Sequence, residues 1–365
     1  MKYATLATLA VATALGGAAT FAVLEGPLAQ ERDLTNPSVP ITIRESIDVP
    51  AADEQTTRVV AAANAFLATL TDEQRGAAVF PFEDNAQRSN WSNFPDGPFQ
   101  RAGIARGDMT DEQLAALDGL LSELLSEDGL ANARYQMEAD DVSAERDGGD
   151  FPNFGSDHYY VSFLGEPSVD APFAVQFGGH HLAINATFVG ADASYSPMLT
   201  GGEPLRIEYE GAPVTIAIDE VTAAKALLDS LDDGQREQAI RGDEAINLVL
   251  GPGEYGTAVA PEGLAGADMT DAQKALLLDL AAARLGHINP DDFEAKMERV
   301  RAEVDDLHFA WWGPTEPLGA AYHRVTGPSV VIEYAPQDQD GDPTDHAHNM
   351  YRDPANDYGA AWIAE

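Results

Sequence analysis

The segment Asp108-Met-Thr-Asp-Glu-Gln113 recurs later in the chain as Asp268-Met-Thr-Asp-Ala-Gln273, and these two segments decide the expected fold. A threonine followed three residues later by glutamine, just before an apolar run, is typical of a capping box at the start of a helix. Leucines at helical spacing follow each segment: Leu117 and Leu120 after the first, Leu277 and Leu280 after the second. The two segments therefore predict capped helices, and their near-identity predicts an internal repeat.

A further block is in register with that repeat. Phe66-Leu-Ala-Thr-Leu-Thr-Asp-Glu-Gln-Arg75 matches Leu227-Leu-Asp-Ser-Leu-Asp-Asp-Gly-Gln-Arg236. After each set of helices come short β-branched or aromatic runs separated by Gly and Pro, which predict an antiparallel meander. We therefore expect an α+β protein of two similar halves, residues 53–219 and 220–336. Each half is expected to consist of helices followed by a small, mainly antiparallel sheet.

The ends of the chain lie outside the predicted repeat. Residues 1–29 combine Lys2 with a long apolar run and are typical of a secretory signal peptide. About 20 apolar residues can also just span a bilayer, so a retained anchor stays open as the alternative to cleavage. The polar composition of residues 30–52 predicts a tether. That of residues 337–365 predicts a polar C-terminal tail. We expect a secreted or periplasmic protein with no stable membrane span once the signal is cleaved.

Charge and cysteine content exclude several classes of protein. The chain has 21 Lys and Arg against 61 Asp and Glu, a formal net charge of −40. Such a chain repels the phosphate backbone of nucleic acid, so nucleic acid is not an expected partner. It contains no cysteine, which excludes disulfides, thiolate nucleophiles and cysteine-ligated zinc. His, Asp and Glu remain as the available metal ligands.

Four of the eight histidines form two tight clusters, His180 with His181 and His346 with His348. Two residues that are two apart in a strand project to the same side, which lets two imidazoles share one metal ion. His180 and His181 are adjacent and would point to opposite faces of a strand, unless a bulge at the two preceding glycines re-aims them. Which of the two joins the site therefore stays open. Zinc or copper is the predicted metal, because imidazole suits both.

Other residues could complete such a site. Glu203 and Glu333 lie near the predicted histidine-bearing strands, where either could serve as a third ligand or a general base. Arg352 has the planar fork that clamps a carboxylate or phosphate, although it could instead pair with an acid and pin the C-terminal tail. The residues predicted to contact a substrate are Trp91, Asn93, Arg101, Asn185 and Asp353.

A combination of motifs resembles a known family. The motifs are Asn90-Trp-Ser-Asn-Phe-Pro95, Arg101-Ala-Gly103, Gly178-Gly-His-His-Leu-Ala-Ile-Asn185, His346-Ala-His-Asn349 and Tyr351-Arg-Asp-Pro354. With them the chain resembles a bacterial family known only as a domain of unknown function, number 3500, over roughly residues 55 to 357. The resemblance implies no activity and no catalytic residues. It implies that these histidines, the Trp-Ser-Asn loop and the Arg-Asp pair are places to look for a site.

The sequence thus favours an exported, metal-dependent, hydrolase-like enzyme with a His-rich site for a small-molecule or anionic ligand. An exported protein that binds a small ligand or a metal without catalysis remains the alternative. The sequence indicates no oligomeric state.

Overall fold

The structure is a computed structural model, and it describes residues 35–147, 152–257, 259–338 and 341–365. The predicted signal peptide, residues 1–29, and the first residues of the predicted tether lie outside the described residues. None of the helices in the described ranges is both long enough and apolar enough to cross a membrane.

Ten helices occur in the described ranges. They are α1 (Glu54–Ala68), α2 (Asp72–Ala78), α3 (Asn85–Arg88), α4 (Asp111–Leu124), α5 (Glu127–Asp147), α6 (Ile218–Ser230), α7 (Asp233–Ala239), α8 (Asp271–Leu285), α9 (Pro290–Ala302) and α10 (Ala360–Ile363).

Fifteen strands occur in the same ranges. They are β1 (Val79–Phe80), β2 (Ile104–Ala105), β3 (Tyr160–Leu164), β4 (Phe173–Gly179), β5 (Leu182–Val189), β6 (Asp192–Ser194), β7 (Met198–Gly202), β8 (Arg206–Tyr209), β9 (Ala212–Thr215), β10 (Ile240–Gly242), β11 (Leu264–Ala265), β12 (His308–Trp312), β13 (Tyr322–Thr326), β14 (Val331–Pro336) and β15 (Ala347–Arg352).

The helix starts confirm the capping prediction. Thr110 accepts a hydrogen bond from the Gln113 backbone N–H while the Gln113 side chain accepts one from the Thr110 backbone N–H, which is a complete capping box at α4. Thr270 and Gln273 form the same pair at α8. The leucine stripes that follow are buried in one apolar core, where α1 packs on α4 and α6 packs on α8.

Thirteen of the described strands form one large mixed sheet, and β8 pairs with β9 separately. At its centre β7 runs antiparallel to β15. On one side the sheet continues through β5, β4 and β3, and β1 lies parallel to β3. On the other side it continues through β14, β13 and β12, and β10 lies parallel to β12. The same sequence of strand directions therefore occurs on both sides of the β7–β15 pair.

The sheet has two different faces. The face that carries Ile184, Met198 and Tyr351 packs against the helices and is called the helix face below. The face that carries Leu199 and Met350 is covered by side chains from irregular segments and is called the loop face. Because side chains alternate along a strand, each residue of β15 can be assigned to one of these faces.

Two expectations differ from the structure. The α+β class is correct, but one continuous sheet replaces the two small sheets that we expected, because β7 and β15 pair edge to edge. Residues 337–365 are not simply a polar tail, since they contribute β15, a central strand with neighbours on both sides. The polar residues of β15 suggested a solvated tail, but they are buried on both faces of the sheet.

Candidate metal centre

Three imidazole rings meet where the turn between β4 and β5 approaches the start of β15. The Nε2 atom of His181 lies 2.9 Å from that of His348 and 3.1 Å from that of His346. The Nε2 atoms of His346 and His348 are 3.3 Å apart. His181 and His346 are buried, and His348 is partly exposed. These three residues are called the histidine trio below.

The spacing of the histidine trio fits one metal ion. Zinc binds imidazole nitrogen at about 2.0–2.1 Å, and a tetrahedral angle then separates neighbouring ligand nitrogens by about 3.3–3.4 Å. Of the observed separations, 2.9 and 3.1 Å are slightly shorter than this and 3.3 Å matches it. A small outward movement of the rings would give each nitrogen a normal bond to a shared ion, and three protein ligands leave one tetrahedral position open.

Burial keeps the rings of the histidine trio neutral. Desolvation lowers the pKa of His346 to about 3 and holds the pKa values of His181 and His348 well below the ordinary histidine value. Neighbouring imidazoles lower all three further. A neutral imidazole has one nitrogen with a free lone pair, which is the form that binds a metal.

A tight turn explains how His181 reaches the trio. Gly179 pairs with Leu182, so His180 and His181 are the two residues of a hairpin turn between β4 and β5. His181 has a φ of 57°, which a residue with a side chain rarely adopts and which often marks a functional position. A side chain on Gly178 would come within 2.2 Å of the Leu182 carbonyl oxygen, so this turn requires glycine there.

The same turn resolves the question of strand parity. Two adjacent residues in a strand would point to opposite faces, but the rings of His180 and His181 stack with their centroids 3.7 Å apart. His181 joins the trio, whereas the Nδ1 atom of His180 lies 2.5 Å from a carboxylate oxygen of Asp140 on α5. Because a carboxylate oxygen can only accept, the Nδ1 atom of His180 is the donor in this contact.

Asp140 was not identified from the sequence. Residues 133, 137 and 140 fall at helical spacing on the buried stripe of α5, where Ala133 and Met137 are apolar and Asp140 is only 3% exposed. A carboxylate on an apolar stripe needs a partner, and this was the available signal. The partner, His180, is 40 residues away and could not be identified from spacing.

Glu203, one of the predicted site residues, lies beside the histidine trio. One of its carboxylate oxygens is 3.7 Å from the Nδ1 atom of His346, a buried atom that has no hydrogen-bond partner among the described residues. A carboxylate oxygen of Glu203 is also within 4.8 Å of ring nitrogens of His180 and His181. Metal-bound histidines usually donate their second ring N–H to a carboxylate, carbonyl or water, and Glu203 is placed to accept it from His346.

Asn93 contacts the trio from the loop between α3 and β2. Its side-chain amide lies 3.3 Å from the Nε2 atom of His348. The oxygen and nitrogen of an amide are interchangeable in such an assignment, so the contact can present either a donor or an acceptor to a ligand. Of the residues predicted to contact a substrate, Asn93 is the one with a hydrogen-bonding contact to the histidine trio.

Arg101 connects two backbone segments of the site. Its guanidinium donates to the backbone carbonyls of Ser92 and Phe94 on one side and of Gly179 on the other. It therefore fastens the loop that carries Asn93 to the hairpin turn that carries His181.

Trp91 and Asn185 have structural contacts instead. Trp91 is buried and donates its indole N–H to the Tyr358 hydroxyl at 2.8 Å. The Asn185 amide accepts a hydrogen bond from the Gln176 side chain and donates one to the Pro197 carbonyl. Asn185 is buried as well. The structure thus does not place these two residues at the histidine trio.

Glu333 and Arg352, the other two candidates for catalysis, are also used structurally. Glu333 is fully buried and accepts hydrogen bonds from the backbone N–H groups of Val249 and Leu250 and from the Tyr322 hydroxyl. Through these bonds the carboxylate holds the loop around Val249 and Leu250, called the covering loop below, and does not reach the histidine trio.

Arg352 holds the same loop from the end of β15. It donates to the Leu250 carbonyl and to the next carbonyl along the chain, and it forms an ion pair with Asp357 at 2.5 Å. The neighbouring Asp353 pairs with Lys296 at 2.7 Å. These contacts correspond to the pinning role that the sequence left open for Arg352, with Asp357 as its acidic partner.

Together, the fold and the trio define an α+β protein with a buried three-histidine centre at one end of its central strands. The chain belongs to the family described as "Protein of unknown function (DUF3500)", whose model matches residues 52–360. The resemblance seen in the motifs is thereby confirmed. Neither the curated proteins nor the solved structures contain a match to the chain.

Proposed function

We propose that this protein binds one divalent metal ion, zinc or copper, through His181, His346 and His348, and that it is a hydrolase-like enzyme. The observation that supports the proposal is the approach of three neutral imidazole nitrogens to within 2.9–3.3 Å of one another. Buried groups at such distances without a shared ion or proton would leave polar nitrogens poorly solvated.

The residues around the trio suit hydrolysis. A zinc ion held by three protein ligands supplies a bound water whose pKa is lowered to about 7. Asn93, which contacts His348, would orient a ligand beside the ion, and Glu203, 3.7 Å from the Nδ1 atom of His346, would hold that ring. His180, whose Nδ1 atom contacts Asp140, lies close to His181 and Glu203.

Metal titration tests the binding half of the proposal. The protein is purified without a polyhistidine tag, stripped with chelator and titrated with zinc and with copper in a calorimeter. We expect one ion per chain, and no tight binding by His181→Ala or by the double variant His346→Ala/His348→Ala. His308→Ala is the matched control, because His308 lies on β12 and bonds only the Asp306 carbonyl among the described residues. Equal binding by all variants would refute the site.

A panel of ester, amide, phosphate and glycoside substrates tests the catalytic half, with metal-free protein as the blank. The second candidate function is binding of a small ligand or metal without turnover. It is favoured by the structural use of Glu333 and Arg352, which leaves the trio with fewer catalytic groups than the sequence suggested. Stabilisation by a ligand in thermal-shift profiling, with no product from any substrate class, would select this second function.

We also infer that the protein is exported and that its two sides arose by duplication. Export rests on residues 1–29 of the sequence, and cell fractionation with N-terminal sequencing of the mature protein tests it. Duplication is supported by the repeated capping boxes and by the matching strand order on either side of β7 and β15. A superposition of the two sides in an experimental structure should align Ile184 with Ile332. Intact N-termini in the cytoplasm would refute export, and a different strand alignment would refute duplication.

A further inference from the structure

A cluster of polar side chains lies on the helix face of the two central strands, opposite the face that carries His348. Its members are Thr200 on β7, Asn349 on β15, Glu220 on α6 and Arg284 on α8. All four are buried, and Arg284 and Asn349 have no exposed surface. We call these residues the polar cluster.

The polar cluster joins β7 to the helices and has Asn349 of β15 beside that connection. Arg284 donates to the Thr200 hydroxyl at 2.6 Å and to the Met198 carbonyl at 2.7 Å, and so holds β7. Glu220 lies 3.6 Å from Arg284. Asn349 is directly opposite Thr200 in the β7–β15 register. Burial raises the pKa of Glu220, and Arg284 and Asn349 both oppose that rise.

Stability alone does not explain this arrangement. Neither carboxylate oxygen of Glu220 has a hydrogen bond of normal length within the described residues, and the same is true of the Asn349 amide. Replacing a buried ion pair with apolar residues of similar volume is often neutral or stabilising. A buried polar group can instead specify one arrangement among several, and fixing a register is the best-attested case.

The register of β15 determines where the histidines point. Ala347, Asn349 and Tyr351 are on the helix face, and His348 and Met350 are on the loop face. Each face of β15 therefore carries both polar and apolar side chains, so hydrophobic patterning specifies its register weakly. A slip of one residue would turn every side chain to the other face and withdraw His346 and His348 from His181.

We propose that the polar cluster locks β15 in register against β7 and thereby positions His346 and His348 to share a metal ion with His181. The residues of the polar cluster are positioning residues that contact no ligand. This inference rests on the proposed metal site, but the register of β15 can also be measured without metal.

The test uses the double variant Glu220→Leu/Arg284→Met, which replaces the ion pair by apolar groups. Arg88→Met is the matched control, because Arg88 is equally buried but bonds Phe82 and Asn85, away from β7 and β15. Zinc affinity is measured by chelator competition, the melting temperature is measured in chelator, and amide hydrogen exchange over residues 347–352 is followed by mass spectrometry on the metal-free full chain.

We expect the double variant to melt within a few degrees of the wild type, to bind zinc at least tenfold more weakly and to exchange the β15 amides faster. The control should keep the zinc affinity and the β15 exchange of the wild type. Unchanged zinc affinity and unchanged exchange in a folded double variant would overturn the inference.

If the double variant does not fold, Asn349→Leu alone replaces it with the same expected results. If the wild type binds neither zinc nor copper, the proposed function fails, whereas faster β15 exchange in the variant would still support the register lock. Unchanged β15 exchange in that case would overturn the lock as well.

Discussion

Among individual residues, Glu203 provides the sharpest test of the surroundings of the metal centre. Its carboxylate lies 3.7 Å from the second ring nitrogen of His346. Removing such a carboxylate typically lowers metal affinity by about 10–100-fold. We expect Glu203→Gln, which preserves size and removes charge, to lower zinc affinity by that factor with little change in melting temperature.

The control for this prediction is Glu316→Gln, since Glu316 is largely exposed and pairs with Lys225. Equal zinc affinity for the Glu203 variant and the wild type would show that Glu203 does not orient His346.

Substitution of Arg352 distinguishes a residue that binds a ligand from one that only stabilises the fold. Its guanidinium donates to two backbone carbonyls and to Asp357, and lysine cannot reproduce that planar geometry. We expect Arg352→Lys to lower the free energy of unfolding by about 1.5–3 kcal/mol, the range for hydrogen bonds to charged groups. Urea denaturation in chelator measures this loss. Zinc affinity should remain unchanged. Weaker ligand binding at unchanged stability would instead show that Arg352 holds a ligand.

The buried imidazole of His323 should make the stability of the protein depend on pH, whether or not a metal is bound. Burial lowers its pKa to about 3, whereas an unfolded histidine titrates near 6.5. Between these values the unfolded chain binds a proton that the folded chain does not, so the free energy of unfolding falls as the pH decreases below about 6.5. His323 stacks between Trp311 and Tyr334, and phenylalanine can preserve that stack.

We therefore expect His323→Phe to flatten the loss of stability between about pH 6.5 and 4, by up to about 1.4 kcal/mol per pH unit. Urea titrations of both proteins in chelator at several pH values measure this difference. If the free energies of unfolding of the two proteins change with pH in parallel, His323 is not a buried neutral imidazole in the folded chain.

At the scale of secondary-structure elements, the two capping boxes make α4 and α8 comparable. Each threonine hydroxyl accepts a hydrogen bond from the N–H of the residue three positions later. We expect Thr110→Ala and Thr270→Ala each to lower the free energy of unfolding by about 1 kcal/mol, and Thr→Ser at either position to restore most of it. A large effect at one cap and none at the other, by urea denaturation, would show that the two helices contribute differently.

The helices and hairpins were predictable because their signals are local. Capping threonines, leucine spacing and Gly- or Pro-bounded apolar runs are written within a few residues of one another. The turn at His180 and His181 was not predictable in the same way, because its residues continue the apparent strand pattern and only the backbone conformation of His181 separates them from it. Strand β15 was missed since a strand buried on both faces by polar contacts has no apolar alternation to reveal it.

At the scale of the whole molecule, the centre depends on contacts that sequence spacing cannot give. His181 and His346 are separated by 165 residues along the chain, and they meet because β7 pairs with both β5 and β15. The sequence could identify the histidines as chemically suitable, but not choose between His180 and His181. It also could not separate Asn93 and Glu203, which lie at the centre, from Glu333 and Arg352, which hold the covering loop.

The central claim is that three imidazoles bind one ion, and X-ray absorption spectroscopy at the metal edge of the zinc-loaded, untagged protein tests it most directly. We predict a first shell that contains three nitrogens at about 2.0–2.1 Å with the outer-shell scattering of imidazole rings, and its loss in His181→Ala. A first shell made only of oxygen ligands, or a spectrum that His181→Ala leaves unchanged, would contradict the claim.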